Sequence, residues 1–432
     1  MQHPLTIRHC RNGHPDHRLF RKRSATGGYP GDQWTLIIGE MNMKEPVGPR
    51  SWGEWGACRR SLRNAAVMLL LATGAHSYAA AGEPGLTKEQ YLHGINRGLD
   101  AVQRKTRWQR KNRLRFSANL FFAHGGFIPH IPLDIILKYV DALQEAGVDR
   151  IDINPGLSPW LHNDQPVISK YDAVVAHIRA RGLEVALNPQ FTPGDLTIES
   201  FADWERASLQ VYAELARRYR PEIFVVVHEP TTMAKRMNLR VTPLQWRRYA
   251  QATARAVKWV SPTTRCGAGG LASEKRFFDA FSTAVGIDVL TLDIYGLQDL
   301  KTNNEMIGAA KRAGKPVYIE ETWRPAYYSP SMGPVESLEA LSATGIGDRD
   351  FEDLDARWME AMVVYASVMG LESFTPFWTQ TFFAYAGPDE PNGALDWSYT
   401  SQVIAAIETG QRSKSFEAFR ELIQRYGQGG GL

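Results

Sequence analysis

From Arg115 to Gln428 the chain alternates short apolar runs with longer amphipathic ones. Read as strands, the short runs are Phe116–Ala123, Arg150–Asn154, Glu184–Asn188, Ile223–His228, Arg265–Gly269, Ile287–Tyr295, Val317–Glu321 and Ser373–Trp378. Each precedes a stretch with apolar residues at helical spacing: Leu133–Ala146, Val167–Arg181, Ile198–Tyr219, Pro243–Val260, Ser273–Ala284, Leu300–Ala313, Asp353–Met369 and Ser401–Tyr426. Glycines punctuate several helix ends just before the next strand, at Gly147, Gly182, Gly314 and Gly370. Strands alternating with helices imply a parallel sheet, and eight such units predict a closed (β/α)8 barrel over residues 115–428. The rival is an open doubly wound sheet. It would want a glycine-rich phosphate turn after the first strand, and Phe122-Ala123-His124-Gly125-Gly126 lacks the GxGxxG spacing.

The pattern fails before residue 82. Residues 1–40 have no sustained hydrophobic period and are expected to be a non-native or disordered leader, with Met41 or Met43 as better starts. Within 41–81, Arg59-Arg60-Ser61-Leu62-Arg63 precedes the apolar run Ala65–Ala72, and small residues end at Ala79-Ala80-Ala81. A basic segment, a short greasy segment and an A-x-A site predict a bacterial-type signal peptide and export. The apolar run is too short for a membrane anchor, which needs about 20 residues. The Arg pair resembles a twin-arginine signal loosely, with Leu62 in place of the usual Phe. Residues 82–114 form a lead-in. There Thr87-Lys88-Glu89-Gln90 reads as a capping box, and Leu92, Ile95, Leu99 and Val102 have helical spacing, so one helix is expected to close the barrel's bottom.

Composition adds little to this picture except in its aromatics. Hydrophobic content of 44% with 22% charged residues is an ordinary globular balance, and a net charge of +4 gives no reason to expect a nucleic-acid partner. The 12 Trp, 16 Tyr and 18 Phe can fill a core, or form flat platforms on which the C–H faces of sugar rings stack. Cys10, Cys58 and Cys266 make no CxxC and no disulfide framework. His124 and His130 lack the His-x-His of metal-dependent barrel hydrolases, so no metal or other cofactor is expected. No lysine ends a strand, which argues against a Schiff-base aldolase. The chain is expected to be a monomer.

In a barrel the C-terminal strand ends build the site. Those ends are His124, Asn154, Asn188, Glu229, Tyr295, Glu321 and Trp378, while the fifth strand's Gly267-Ala268-Gly269-Gly270 is bare and would leave room for substrate. A side-chain period of two puts Val225, Val227 and Glu229 on one face, and Val317, Ile319 and Glu321 on another. It therefore selects Glu321 over Glu320, which would face the helices with Tyr318. Two carboxyls across the mouth suit glycoside hydrolysis, where one protonates the leaving oxygen and a second, ionised, attacks the anomeric carbon. Those roles require a raised pKa for the acid and a low one for the nucleophile.

Val226-Val227-His228-Glu229-Pro230 resembles the strand-four "NEP" signature of the clan A retaining glycoside hydrolases, and Lys315–Thr322 resembles their strand-seven "KPIxITE" signature. Tyr295 matches a Tyr that bonds the nucleophile, Trp378 a Trp lining the sugar subsite, and Gly393-Ala394-Leu395-Asp396 a "GLLD" turn. The resemblance implies Glu229 as acid/base, Glu321 as nucleophile, and a β-linked oligo- or polysaccharide substrate. It departs at His228, where the clan has an Asn that contacts the sugar 2-hydroxyl. Asn154, Asn188 and His124 are expected at subsites, and Trp160 and Trp323 as platforms, with Tyr327, Tyr328, Phe382 and Tyr385 as alternatives shared with loop packing. Two other functions stay open. One is a catalytically silent glycan-binding barrel serving exopolysaccharide export or assembly, suggested by His228. The other is a non-carbohydrate hydrolase, for which mid-strand Cys266 has no evident His partner.

Overall fold

The computed structural model describes residues 88–107, 109, 111–190, 198–324, 351–385 and 397–428. The leader, the signal segment, Thr87, Tyr327, Tyr328 and the Gly393–Asp396 turn lie outside them.

Eight parallel strands close in sequence order, β1 to β8, into a barrel. They are β1 Arg115–Asn119, β2 Arg150–Ile153, β3 Glu184–Leu187, β4 Ile223–His228, β5 Arg265–Leu271, β6 Val289–Ile294, β7 Val317–Thr322 and β8 Ser373–Pro376. Besides the single turn Ser158–Leu161, the helices among the described residues are α1 Lys88–Thr106, α2 Leu133–Ala146, α3 Gln165–Ala180, α4 Phe201–Tyr219, α5 Pro230–Arg236, α6 Pro243–Val260, α7 Lys275–Ser282, α8 Leu300–Arg312, α9 Glu352–Met369, α10 Trp397–Thr409 and α11 Lys414–Tyr426. The chain is therefore a (β/α)8 barrel. No helix among the described residues is long and apolar enough to cross a membrane.

Three elements differ from the sequence reading. The last helix is two, because Gly410 adopts a left-handed φ of 73° and the Ser413 side chain caps a new start at the Phe416 amide. A further helix, α5, begins directly after Glu229 with Pro230 at its first position, where the missing N–H costs nothing. The lead-in helix α1 lies along the barrel's flank rather than across its bottom. Arg357 of α9 bonds Asp100 at 2.6 Å, and Gln103 donates to Glu360 at 3.2 Å. Leu297, after β6, comes so close that a Cβ on Gly98 would stand 2.4 Å from its Cδ1.

The inward faces were also misassigned, and bulges are the reason. On β7, Tyr318 packs with Ala186, Ile223, Val225 and Val289 inside the barrel, under the Arg150 guanidinium 5.2 Å from its ring. Val317 and Ile319 belong instead to the core between sheet and helices. Leu292 pairs with Ile319 and Asp293 with Glu321, so β7 holds one extra residue, Glu320, against its neighbour. A bulge of this kind re-aims the residues beside it. Both Glu320 and Glu321 consequently face the interior. β4 does the same: Val225 pairs with Gly267 and Val227 with Ala268. Val226 and Val227 both join the sheet–helix core, and His228 turns inward in place of Val227.

The glycines of β5 make room for neighbouring backbone, not for substrate. A Cβ on Gly269 would stand 2.0 Å from the Thr291 carbonyl oxygen. One on Gly270, at φ 152°, would meet Glu274 Oε2 at 2.2 Å and the Glu229 Cα at 3.0 Å. Gly269→Ala should therefore force β5 and β6 apart. A loss of about 1–3 kcal/mol or more is expected, read as a lower urea midpoint at unchanged slope; wild-type stability in this variant would refute the close approach.

Candidate active site

Glu229 follows β4 directly and takes a left-handed backbone conformation, φ 42° and ψ 67°. A non-glycine residue held there is strained by about 1–3 kcal/mol, and such strain is found most often at functional positions. Its amide donates to the Gly269 carbonyl at 3.1 Å, which ties the turn to β5.

His228 lies between three acids. Its Nε2 is 3.0 Å from Asp293 Oδ2 and 3.6 Å from Glu321 Oε1, and its side chain is only 9% exposed. Burial opposes charging the imidazole, but Asp293, Glu321 and Glu320 outweigh it, and its pKa is raised well above the usual 6.5. The site therefore favours the imidazolium form of His228. The Tyr295 hydroxyl donates to Glu321 Oε2 at 2.7 Å, the contact that the sequence resemblance led one to expect.

Glu321 does not have the low pKa expected of a nucleophile. Burial pushes it well above the ordinary carboxylate range, and Asp293, Glu229 and Glu320 add to that, while the His228 charge pulls it back. These groups titrate as one coupled set. Glu320, beneath it, is raised to about 8 by burial, and so is Glu274, which accepts from the amides of Thr231 at 2.6 Å and Leu271 at 3.1 Å. Both are largely protonated at neutral pH.

On the opposite wall, His124 Nε2 bonds Asn119 Oδ1 at 2.7 Å, and Asn119 Nδ2 donates to Asn154 Oδ1 at 2.7 Å. A carbonyl oxygen only accepts, so Nε2 carries the proton. Burial and the Arg236 charge lower the His124 pKa to about 3, which keeps the ring neutral. Asn188 ends β3 with both amide atoms buried and without a hydrogen-bond partner, an available donor and acceptor for hydroxyls. Half-buried Trp378 meets Phe377 and Phe121 at centroid distances of 4.8 and 5.3 Å, and the cluster extends to His124.

Other sequence candidates go elsewhere. Trp323 is 3% exposed and packs toward Phe382 in the core. Trp160 packs on Tyr171 and Tyr219, between α3 and α4. Tyr385 is buried with its hydroxyl on Asp355 at 2.9 Å. Conversely, Asp293 and Arg236 escaped the sequence reading, and Glu320, expected to face the helices, lies in the interior. Asp293 had a signal, since it stands two residues before Tyr295 on the same strand face.

One set of donors has the composition of a cation site. His228, Glu229 and Asp293 each offer an atom within 4.8 Å of the others. However, the imidazolium already compensates Asp293, and a cation there would have to displace that proton and face the charge of Arg236.

No protein-family model and no curated protein matches this sequence. Among solved structures the chain is similar to a GH5_18 protein from Streptomyces cattleya in complex with GlcNAc, at 14% identity over 74% of this chain and 82% of that one, with a TM-score of 0.48. It is also similar to the exo-β-1,4-mannosidase Op5Man5 from Opitutaceae bacterium strain TAV5, at 16% identity over 74% and 60% with a TM-score of 0.46. A GH10 endoxylanase from a sugarcane soil metagenome is similar at 12% identity over 72% and 96%, with a TM-score of 0.41. The functional reading therefore rests on the residues of the mouth.

Proposed function

We propose that this chain is a glycoside hydrolase that cleaves a β-linked oligo- or polysaccharide with retention of configuration. The observation that carries the proposal is the Tyr295 hydroxyl on Glu321, 2.7 Å away, in a mouth that Glu229 shares. Glu321 attacks the anomeric carbon while the Glu229 proton passes to the departing glycosidic oxygen. Water, deprotonated by Glu229, then releases the sugar from Glu321. The imidazolium of His228 and the Tyr295 hydroxyl favour the anionic form of Glu321, against the burial that raises its pKa. Asn188, with a free donor and acceptor, is proposed to hold sugar hydroxyls, as are Asn154 and His124, and Trp378 to stack on the ring.

The same reading includes export to the periplasm or beyond by the signal peptide, action as a monomer, and no nucleic-acid partner. A polysaccharide panel on protein starting at Gly82, with the anomer of the first product read by NMR, tests it. A β product from a β linkage is expected; an α product would replace retention with inversion.

The alternative, a glycan-binding barrel without turnover, is favoured by one feature. His228 turns to Asp293 and Glu321 rather than standing free for a sugar 2-hydroxyl. It predicts saturable binding to a glycan in the panel and no product from any.

A further inference from the structure

The Arg236 guanidinium is the second positive charge of the mouth, and nothing in the proposed reaction uses it. Arg236 is the last residue of α5, the helix that starts directly after Glu229. Side chains on a helix lean toward its N-terminus, which carries Arg236 back toward the mouth. It lines a small pocket with Glu229, His228 and Thr232, whose inner wall is the sheet–helix core at Val226, Trp204 and Trp246. It also senses charge or lends it on three sides, at Glu229, at Glu321 on β7 and at His124 beyond β1.

Arginine keeps its proton in proteins, so this charge persists. Yet Arg236 is half-buried, its Nε is fully buried without a hydrogen-bond partner, and no carboxylate lies within 4.0 Å of it among the described residues. Buried guanidinium groups are normally paired, because leaving one unpaired is costly. Glu229 and Glu321 act on its charge without coming within ion-pair distance, and the other acids of the mouth do not fill the gap. Glu274 is engaged by two amides, Glu320 lies beneath the mouth in the barrel interior, and both are protonated near neutrality. Asp293 is taken by His228.

We infer that Arg236 is a subsite for a carboxylated sugar, so that the glycan this barrel takes contains uronic acid residues, one of whose carboxylates the guanidinium receives. The planar fork of arginine matches a carboxylate through two parallel N–H···O bonds, which a hydroxymethyl group cannot supply. This deepens the hydrolase proposal and rests on it for where the sugar sits.

The test uses β-linked uronic acid oligosaccharides and their carboxyl-reduced counterparts, with wild type, Arg236→Met and Arg236→Lys. Both kcat/KM and calorimetric affinity are measured. Wild type should favour the acidic member of a pair by at least about 30-fold, a typical charge-assisted contribution. Arg236→Met should abolish that preference, and Arg236→Lys should keep part of it. A wild-type enzyme indifferent to the carboxylate, or preferring the reduced sugar, overturns the inference whatever the variants do. Equal losses on both members in Arg236→Met would also overturn it, leaving Arg236 as a counter-charge to Glu229 and Glu321. If neither member is cleaved, the binding arm decides. Acidic preference lost in Arg236→Met upholds the subsite while hydrolysis falls, and no binding across the panel overturns the subsite.

Discussion

Glu321→Gln is expected to lower kcat by about 10⁴-fold or more while leaving the fold intact. The substitution is nearly isosteric, and its amide oxygen still accepts from the Tyr295 hydroxyl 2.7 Å away. What disappears is the nucleophile, and losses of this size follow when a group that forms the covalent bond is removed. Glu229→Gln should lose less, about 10²–10⁴-fold, the usual contribution of a general acid. The two variants are also told apart by rescue. With an activated aryl glycoside, which needs no proton donor, azide should restore turnover to Glu229→Ala and trap a glycosyl azide. It should give no glycosyl azide of retained configuration with Glu321→Gln. Full activity of either Gln variant on the wild-type substrate would remove the mechanism.

His228→Asn carries the second large effect. It installs the residue of the resembled clan, yet here it removes the cation between Asp293 at 3.0 Å and Glu321 at 3.6 Å. Breaking a buried charge pair from one side costs about 3–5 kcal/mol, because the other charge stays buried. Its activity should change in a defined direction as well. Glu321 must be ionised to attack, and His228 is the charge that lowers its pKa. The acid limb of kcat/KM, already above the ordinary carboxylate range in wild type, should move to higher pH in the variant.

Stability has a matching pH dependence. His228 has a folded pKa above its unfolded value of 6.5, so its contribution is complete below 6.5 and is lost as pH rises through the raised value. Glu320 and Glu274 act in the same sense, since folded values of about 8 against 4.5 favour the native state least at high pH. His124, with a folded value of about 3, acts in the opposite sense but only below about 6.5, so wild-type melting temperature should fall between pH 7 and pH 9. A melting temperature rising over that window would contradict the imidazolium and the buried protonated acids together.

The fold was legible because its signals are local. Apolar runs of strand length, amphipathic stretches and glycines such as Gly147, Gly182, Gly314 and Gly370 each report on a few neighbouring residues, and eight repeats of one unit leave few closures. The two glutamates were legible as strand ends for the same reason. Element boundaries drifted where a local device intervened. Gly410 with the Ser413 cap splits the last helix, and Pro230 starts an additional helix ahead of the one expected from Pro243. Trp160 and Trp323 could not be told from platforms by type, since whether an aromatic ring meets solvent or core depends on segments far along the chain.

The sequence by itself determined the barrel, its order of strands, and the placing of Glu229, Tyr295 and Glu321 at the mouth end. It did not determine the faces. The period of two put Val317, Ile319 and Glu321 together, but Tyr318 and Glu320 point inward, and Glu321 joins them only because β7 bulges against β6. Likewise the β4 bulge replaces Val227 with His228. A bulge is a mismatch between two strands distant in sequence. Such a mismatch exists only once the strands are paired. Only the tertiary structure could therefore surround an imidazolium with Asp293, Glu320 and Glu321, and bring the Arg236 charge to bear on Glu229 and Glu321.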